Sequence, residues 1–465
     1  MAAEGPVSLL MSIDRRDSRP LHEQLEHALR TAIRSGRLPA GSPLPSTRSL
    51  CAQLEVSRGV VSWAYGQLAA EGYLITRQGA PVRVSDALRS PPVRPSARSL
   101  TAPFAYDLRP APDLAAFPRD RWERSLRNAW RTAPADQLGE LDPRGIPELR
   151  DTLALYLDRV RGTASDPELL MVCTGFHQGL ALTCQWLRDN GVERIGVEDP
   201  GWHQHRLIAQ QTGLEVVAIS VDDAGLDLAA LQDADPDAMI VTPAHHFPTG
   251  AVLAPQRRTQ LLDWAERRDR LIIEDDYDGE LRFGGVNVGA LQGLAPERVL
   301  YIGSASKRLA PGLRLGWMLL PSWLTWPLVS ARAVQDLGTE VPGQMALVDF
   351  ISRGEFDRHL RRMRMLYARR RRTVLKLLGE LVPAARWRDD PAGVFELVEL
   401  PAGVDEPSLL AAAARRGVGL EGLSWHYAGT VDACGLVVGY AGLSEPALTR
   451  AMRLMSDSIS ELSRV

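Results

Sequence analysis

Residues 304–316 read SASKRLAPGLRLG, and the lysine in this loop sets how the rest of the chain is read. The 465 residues include 54 lysines and arginines, of which only Lys307 and Lys376 are lysines. Nearly everywhere the sequence places a positive charge it uses arginine. A lysine among small residues therefore marks a task that a guanidinium cannot perform. An ammonium can lose its proton and attack a carbonyl carbon, whereas a guanidinium stays charged. Lys307 follows the apolar run RVLYIG, with Ser304 and Ser306 before it and Arg314 beyond a Pro-Gly turn. An amine at a strand end, flanked by hydroxyls and an arginine, suits a ligand bearing both an aldehyde and a phosphate. The amine would condense with the aldehyde, and Ser304 and Arg314 would hold the phosphate. Lys376, in RRTVLKLLGE, lacks such a setting and reads as a surface residue.

Four upstream stretches converge on the same chemistry. LIIEDDYDGE places Asp275 just beyond a buried strand, with Tyr277 two residues later. A carboxylate there suits the ring nitrogen of a pyridoxal, which it keeps protonated so that the ring withdraws electrons; Tyr277 suits the phenolic oxygen. MVCTGFHQGLALTCQWL gives a strand, a glycine turn and a helix start, whose amides at Gly175, Phe176 and His177 suit a phosphate. EDPGWHQHR sets Trp202 after a Pro-Gly turn, positioned to stack on an aromatic ring, and TPAHHFPTG places His245 in the pocket wall. Taken as a set, these motifs resemble the fold-type I pyridoxal-phosphate proteins, the aspartate aminotransferase superfamily, from about Tyr106 to the C-terminus. The apolar runs LLMVC, RIGVE, EVVAIS, AMIVT, RLIIED and RVLYIG alternate with helical stretches. They predict an α/β domain with a mostly parallel central sheet covered on both faces. A large subdomain is expected over about 105–325, and a smaller α+β subdomain, with VFELVEL and GLVVGY as strands, over 326–465.

The first 85 residues have a different texture. PLHEQLEHALRTAIRSG shows apolar residues at helical spacing and stops at Gly36. Ser46 caps a helix over TRSLCAQLE, Ser57 caps another over RGVVSWAYGQLAAEG, and Gly72 ends it. YLITRQGAPVRVS then gives two short extended runs about a turn. Leu50, Leu54, Val56, Val61, Tyr65 and Leu68 read as core. The order helix, helix, turn, helix, hairpin is that of a winged helix-turn-helix. From Pro20 to Val84 it resembles the GntR-type DNA-binding domain. That resemblance implies binding to double-stranded operator DNA. Arg58 would fork to a guanine edge, and Ser57 and Gly59 would bring the helix N-terminus to a phosphate. Arg48 and the wing residues Gln78 and Gly79 would hold the backbone. Residues 86–104 are rich in Pro, Arg and Ser and read as an exposed linker.

A GntR-type winged helix joined to an aminotransferase-like domain resembles the MocR subgroup of GntR regulators. The resemblance implies a head-to-tail homodimer, pyridoxal 5'-phosphate as cofactor, and a domain that senses a small-molecule effector with little or no turnover. Three departures bear on this. Phe247 stands where an aminotransferase carries an asparagine that bonds the cofactor. Val437 stands where an arginine would grip a substrate α-carboxylate, a loss of about 1.5–3 kcal/mol of binding. Glu140 stands where a partner-subunit aromatic often reaches the phosphate. The first two favour a sensor, with the cofactor itself as the simplest effector; an active aminotransferase with a fused DNA-binding domain is the alternative.

The bulk numbers exclude several classes. A net charge of −3 argues against a chain-wide nucleic-acid coat and leaves room for a locally basic domain. Cys51, Cys173, Cys184 and Cys434 are scattered, as expected of reduced thiols in a cytoplasmic protein. The N-terminus lacks the charge and apolar stretch of a signal peptide, and no run is long enough for a membrane span. His203, His205, His245 and His246 have poor spacing for a metal site. RHLRRMRMLYARRRR (residues 358–372) reads as a basic helix with Leu360, Met363, Leu366 and Tyr367 inward and its arginines in solvent.

Overall fold

The structure, a computed structural model, describes residues 13–77, 80–85, 104–139, 142–284, 288–388, 391–401, 403–429 and 435–462. The chain divides into two compact units, Met1–Ala102 and Pro103–Val465. Most of the expected linker, together with Gln78, Gly79 and Glu140, lies outside the described residues.

The first unit is built from α1 (Leu21–Arg34), α2 (Thr47–Leu54), α3 (Arg58–Ala70), β1 (Leu74–Ile75) and β2 (Arg83–Val84). The strands pair antiparallel, with Leu74 opposite Val84. Both serine caps form: Ser46 Oγ accepts from the Ser49 amide at 3.1 Å and Ser57 Oγ from the Val60 amide at 3.4 Å. Each satisfies an amide with no partner inside its helix. Gly72 follows α3 with φ +80°, a conformation that lets the chain leave the helix without Cβ strain. Leu25, Leu29, Leu50, Val61 and Leu68 are fully buried, and Tyr65 donates from its hydroxyl to the Pro45 carbonyl at 2.9 Å. Leu54 and Val56 pack at the margin of this core.

The second unit is organised by strands β3 (Tyr106–Asp107), β4 (Leu170–Cys173), β5 (Arg194–Asp199), β6 (Glu215–Asp222), β7 (Gly225–Leu226), β8 (Ala238–Val241), β9 (Leu271–Asp276), β10 (Val299–Ser304) and β11 (Gly316–Leu319). Eight of them form one sheet in the order β4-β11-β10-β9-β8-β5-β6-β7. The pairs β10–β9, β9–β8, β8–β5 and β5–β6 are parallel. All six predicted strands are present. The sequence reading lacked β11, an antiparallel strand inserted between β10 and β4. It is formed by GWML, which directly follows the lysine loop. The smaller subdomain adds β12 (Arg386–Trp387), β13 (Phe395–Glu399), β14 (Val418–Gly419) and β15 (Gly435–Gly439); β12, β13 and β15 make one antiparallel sheet and β14 pairs with β3.

Alternate residues of β9 serve opposite faces of the sheet. Leu271 and Ile273 pack with Val197 and Ile302 on one side, while Ile272 packs with Val241 and Trp264 on the other. Asp275 continues the first row, and Glu274 and Asp276 continue the second. On the second face Asp276 accepts from Arg161 Nε at 2.7 Å and from the Tyr301 hydroxyl at 2.5 Å. Arg308, next to Lys307, donates to Glu280 and to the Asp276 carbonyl. This buried network anchors both strand ends from which the lysine loop departs.

The helix Glu355–Leu381 carries the basic run. Leu360, Met363 and Tyr367 are buried as expected, but Arg370 and Arg371 are buried too. Arg370 pairs with Asp113 at 2.9 Å and Arg371 with Glu396 at 2.7 Å. The expectation that the arginines of this helix lie in solvent is therefore corrected for two of them: Arg370 and Arg371 tie the helix to the protein interior, because each meets a buried carboxylate from another element, while Arg372 is exposed.

Candidate functional site

A cavity of about 280 Å³ lies in the second unit, lined by residues at and just beyond the carboxyl ends of the parallel strands. This is where open α/β sheets place ligands, because strand-to-helix turns diverge there. Ser304 ends β10, and Ser306, Lys307 and Arg314 follow in the loop; all four line the cavity. Asp275 and Tyr277 reach it from the end of β9, Phe176 and His177 from the helix after β4, and Trp202 from the turn after β5. Gly175 lies behind this wall. Its φ of +116° strains any residue with a Cβ, and the Arg314 guanidinium lies 3.3 Å from where that Cβ would stand. His245 does not line the cavity. Its ring stacks on Phe395, which does, and its Nδ1 lies 2.8 Å from Asp278 Oδ2. The Tyr277 hydroxyl donates to the His245 carbonyl at 2.9 Å.

The electrostatics of the cavity follow from burial. Lys307 Nζ donates to the Pro110 carbonyl at 3.2 Å. Desolvation pulls its pKa below the ordinary ammonium value, against the charges of Glu421, Asp278 and Asp275. Asp275 has its pKa raised by burial, while His205, 3.0 Å from Oδ2, acts in the opposite direction. Its other oxygen, Oδ1, is buried with no hydrogen-bond partner. A buried carboxylate oxygen without a donor is costly unless a ligand supplies one. Phe247 lines the cavity with an apolar edge against Tyr277, Phe395 and His426.

Several contributors are marked by no motif in the sequence. His205 meets Asp275 from behind the lining, and its spacing from Trp202 on one helix turn is the signal that turns both the same way. Thr242, Phe395 and Glu421 line the cavity itself. Glu421 comes from the turn after β14, and nothing local in its sequence marks it. The histidines are otherwise engaged: His246 Nδ1 lies 2.7 Å from Thr249 Oγ1, and no cluster able to hold a metal ion is found among the described residues.

In the first unit Arg48, Ser57, Arg58 and Gly59 are all exposed, at the starts of α2 and α3. Neither arginine makes a side-chain ion pair among the described residues.

The comparisons match this division. Residues 21–84 match the family model of bacterial regulatory proteins, gntR family, and residues 126–418 match aminotransferase class I and II. The chain is 33% identical over 467 residues to the HTH-type pyridoxine biosynthesis transcriptional regulator PdxR of Corynebacterium glutamicum, covering 99% of this chain and 100% of that protein. It is 32% identical to the probable rhizopine catabolism regulatory protein MocR of Rhizobium meliloti, covering 97% and 96%. Among solved structures, a kynurenine aminotransferase from Pyrococcus horikoshii superposes with a TM-score of 0.71 at 25% identity, covering 78% of this chain and 92% of that one. With a GntR helix-turn-helix, an aminotransferase domain on a mostly parallel sheet, and full-length relatives of the same build, the chain belongs to the MocR subgroup of GntR-type transcriptional regulators.

Proposed function

We propose that this regulator binds pyridoxal 5'-phosphate at Lys307 and couples occupancy of that site to the grip of the winged helix on operator DNA. The observation that carries the reading is the meeting of Lys307, Arg314, Ser304 and the partnerless Asp275 Oδ1 at one cavity. These residues fit the group. Lys307 would hold the aldehyde end, Asp275 would take the ring nitrogen, and Trp202 would cover a ring face. Arg314, Ser304 and the helix start at Phe176 and His177 would hold the phosphate. When bound, the group supplies an electrophilic carbonyl and an electron-withdrawing ring. Burial of Lys307 favours the neutral amine that such a bond requires.

On this reading Arg58, Arg48, Ser57 and Gly59 face the operator, the wing residues Gln78 and Gly79 contact its backbone, and the protein acts as a homodimer on a two-fold site. The cofactor is itself the effector, so the regulator reports vitamin B6 status. Switching requires that the cofactor bind the two DNA-affinity states unequally. Borohydride reduction followed by peptide mapping should trap the cofactor at residue 307, and titrating it should shift operator affinity. A label at residue 376, or operator affinity that responds to an amino acid and not to the cofactor, refutes the reading.

The complete set of Lys307, Asp275 and Arg314 also supports a second reading, an active aminotransferase under the same roof. Steady turnover of amino donors and keto acids at about 1 s⁻¹ or faster would establish it. Against it, Val437 is buried in the apolar core and Phe247 offers the cavity no hydrogen bond.

A further inference from the structure

We propose that the pocket admits a second ligand, a small primary amine without a carboxylate, and that Glu421 selects it. The proposal rests on the cofactor reading above, which takes up Lys307 and Arg314, the only lysine and arginine lining the cavity among the described residues. The carboxylate then left without a task is Glu421. It is held firmly: its carbonyl accepts from the Val437 amide at 2.9 Å, and the next residue, Gly422, bridges to Leu436. Its side chain has His426 Nε2 at 3.1 Å from Oε1 and no arginine or lysine ion pair among the described residues. Aromatic groups that the cofactor does not take up, Phe247 and Phe395, line the same cavity. A fixed carboxylate beside aromatic walls is a cation site: an alkylammonium offers three N–H donors to the carboxylate and a charge to the ring faces.

The same surroundings reject an amino acid. Val437 is 1% exposed and packed among apolar side chains. Each arginine adjacent to the lining is committed elsewhere. Arg109 donates to Asp107 through Nε and Nη2, and Arg308 to Glu280. Arg206, on the helix that starts at His203, gives its guanidinium to the carbonyls of Trp425, His426 and Tyr427. Among the described residues an incoming carboxylate would find no uncommitted arginine beside the lining, and it would meet Glu421 as a like charge, a repulsive element of the kind that sets specificity.

The test uses the full-length, cofactor-loaded protein and ligand pairs that differ only by the carboxylate: ethanolamine against serine, putrescine against ornithine, phenethylamine against phenylalanine. Binding is measured by calorimetry, and cofactor content by visible absorbance. At least one amine should bind about tenfold or more tightly than its amino acid. At equal cofactor content, Glu421→Gln should weaken that amine by about tenfold, while Glu421→Asp, which keeps the charge, should recover part of the loss. Coloured protein that binds no amine of the panel, that prefers the amino acid of every pair, or whose Gln variant binds amines unchanged overturns the proposal alone. Protein that stays colourless with added cofactor overturns the cofactor reading and this proposal with it.

Discussion

Asp275 and Asp276 are neighbours in sequence and opposites in function, because one residue along a strand is one face of the sheet. Asp275→Asn should leave the fold intact and weaken cofactor binding by about tenfold or more, read by absorbance titration. Asp276→Ala should do the reverse. It leaves the buried Arg161 and Arg308 short of a counter-charge, and chemical denaturation should show a loss of about 3–5 kcal/mol. Loss of stability in the first variant and not in the second would contradict this account. A second pair makes a pH prediction. Burial holds His246 down to about 3, and pushes Glu198, whose Oε2 lies 3.5 Å away, up to about 8. On acidification from the ordinary imidazole range the unfolded chain takes up a proton that folded His246 refuses, so stability falls. Glu198 acts oppositely, since the folded state keeps a proton that the unfolded chain releases above the ordinary carboxylate range. His246→Gln removes the first effect alone. Relative to wild type, the variant should gain up to about 2 kcal/mol between pH 6.5 and 5, seen as diverging melting curves. Parallel curves would refute it.

At the scale of elements, the caps of α2 and α3 were readable because a serine before a helical apolar period has one dominant use. Ser46→Ala should cost about 1 kcal/mol, seen as faster amide exchange in α2 of the full chain, with the cofactor absorbance unchanged. Arg58→Ala should weaken specific operator binding by about 1–3 kcal/mol, in gel shifts at fixed salt, and leave the same absorbance untouched. An unchanged operator affinity would remove α3 as the reading element. The strand β11 was not readable. GWML is short, and its antiparallel place between β10 and β4 depends on partners 12 to 149 residues away in sequence. The basic helix was half readable. Its apolar period marked Leu360, Met363 and Tyr367, but period alone does not show that Asp113 and Glu396 wait for Arg370 and Arg371.

For the whole molecule, a ligand that binds only the folded state stabilises it by mass action. Pyridoxal phosphate at a hundred times its dissociation constant should raise the stability of the second unit by about 2.7 kcal/mol, and Lys307→Ala should abolish both covalent trapping and most of that gain. An equal rise in the variant would place the ligand elsewhere. What the sequence by itself determined is the part that local chemistry encodes. The helix and strand periods, the serine and glycine helix ends, and a lone lysine flanked by hydroxyls and an arginine gave the two units, the parallel sheet and most of the pocket wall. The tertiary structure alone decided which groups complete the wall and at what charge. His205 meets Asp275 from outside the cavity lining, His245 stacks on Phe395, and Glu421 arrives from a turn of the smaller subdomain. The physical reason is that a side chain's partners and its burial, unlike its helical or strand period, are set by residues distant in the chain, which only the packed fold brings together.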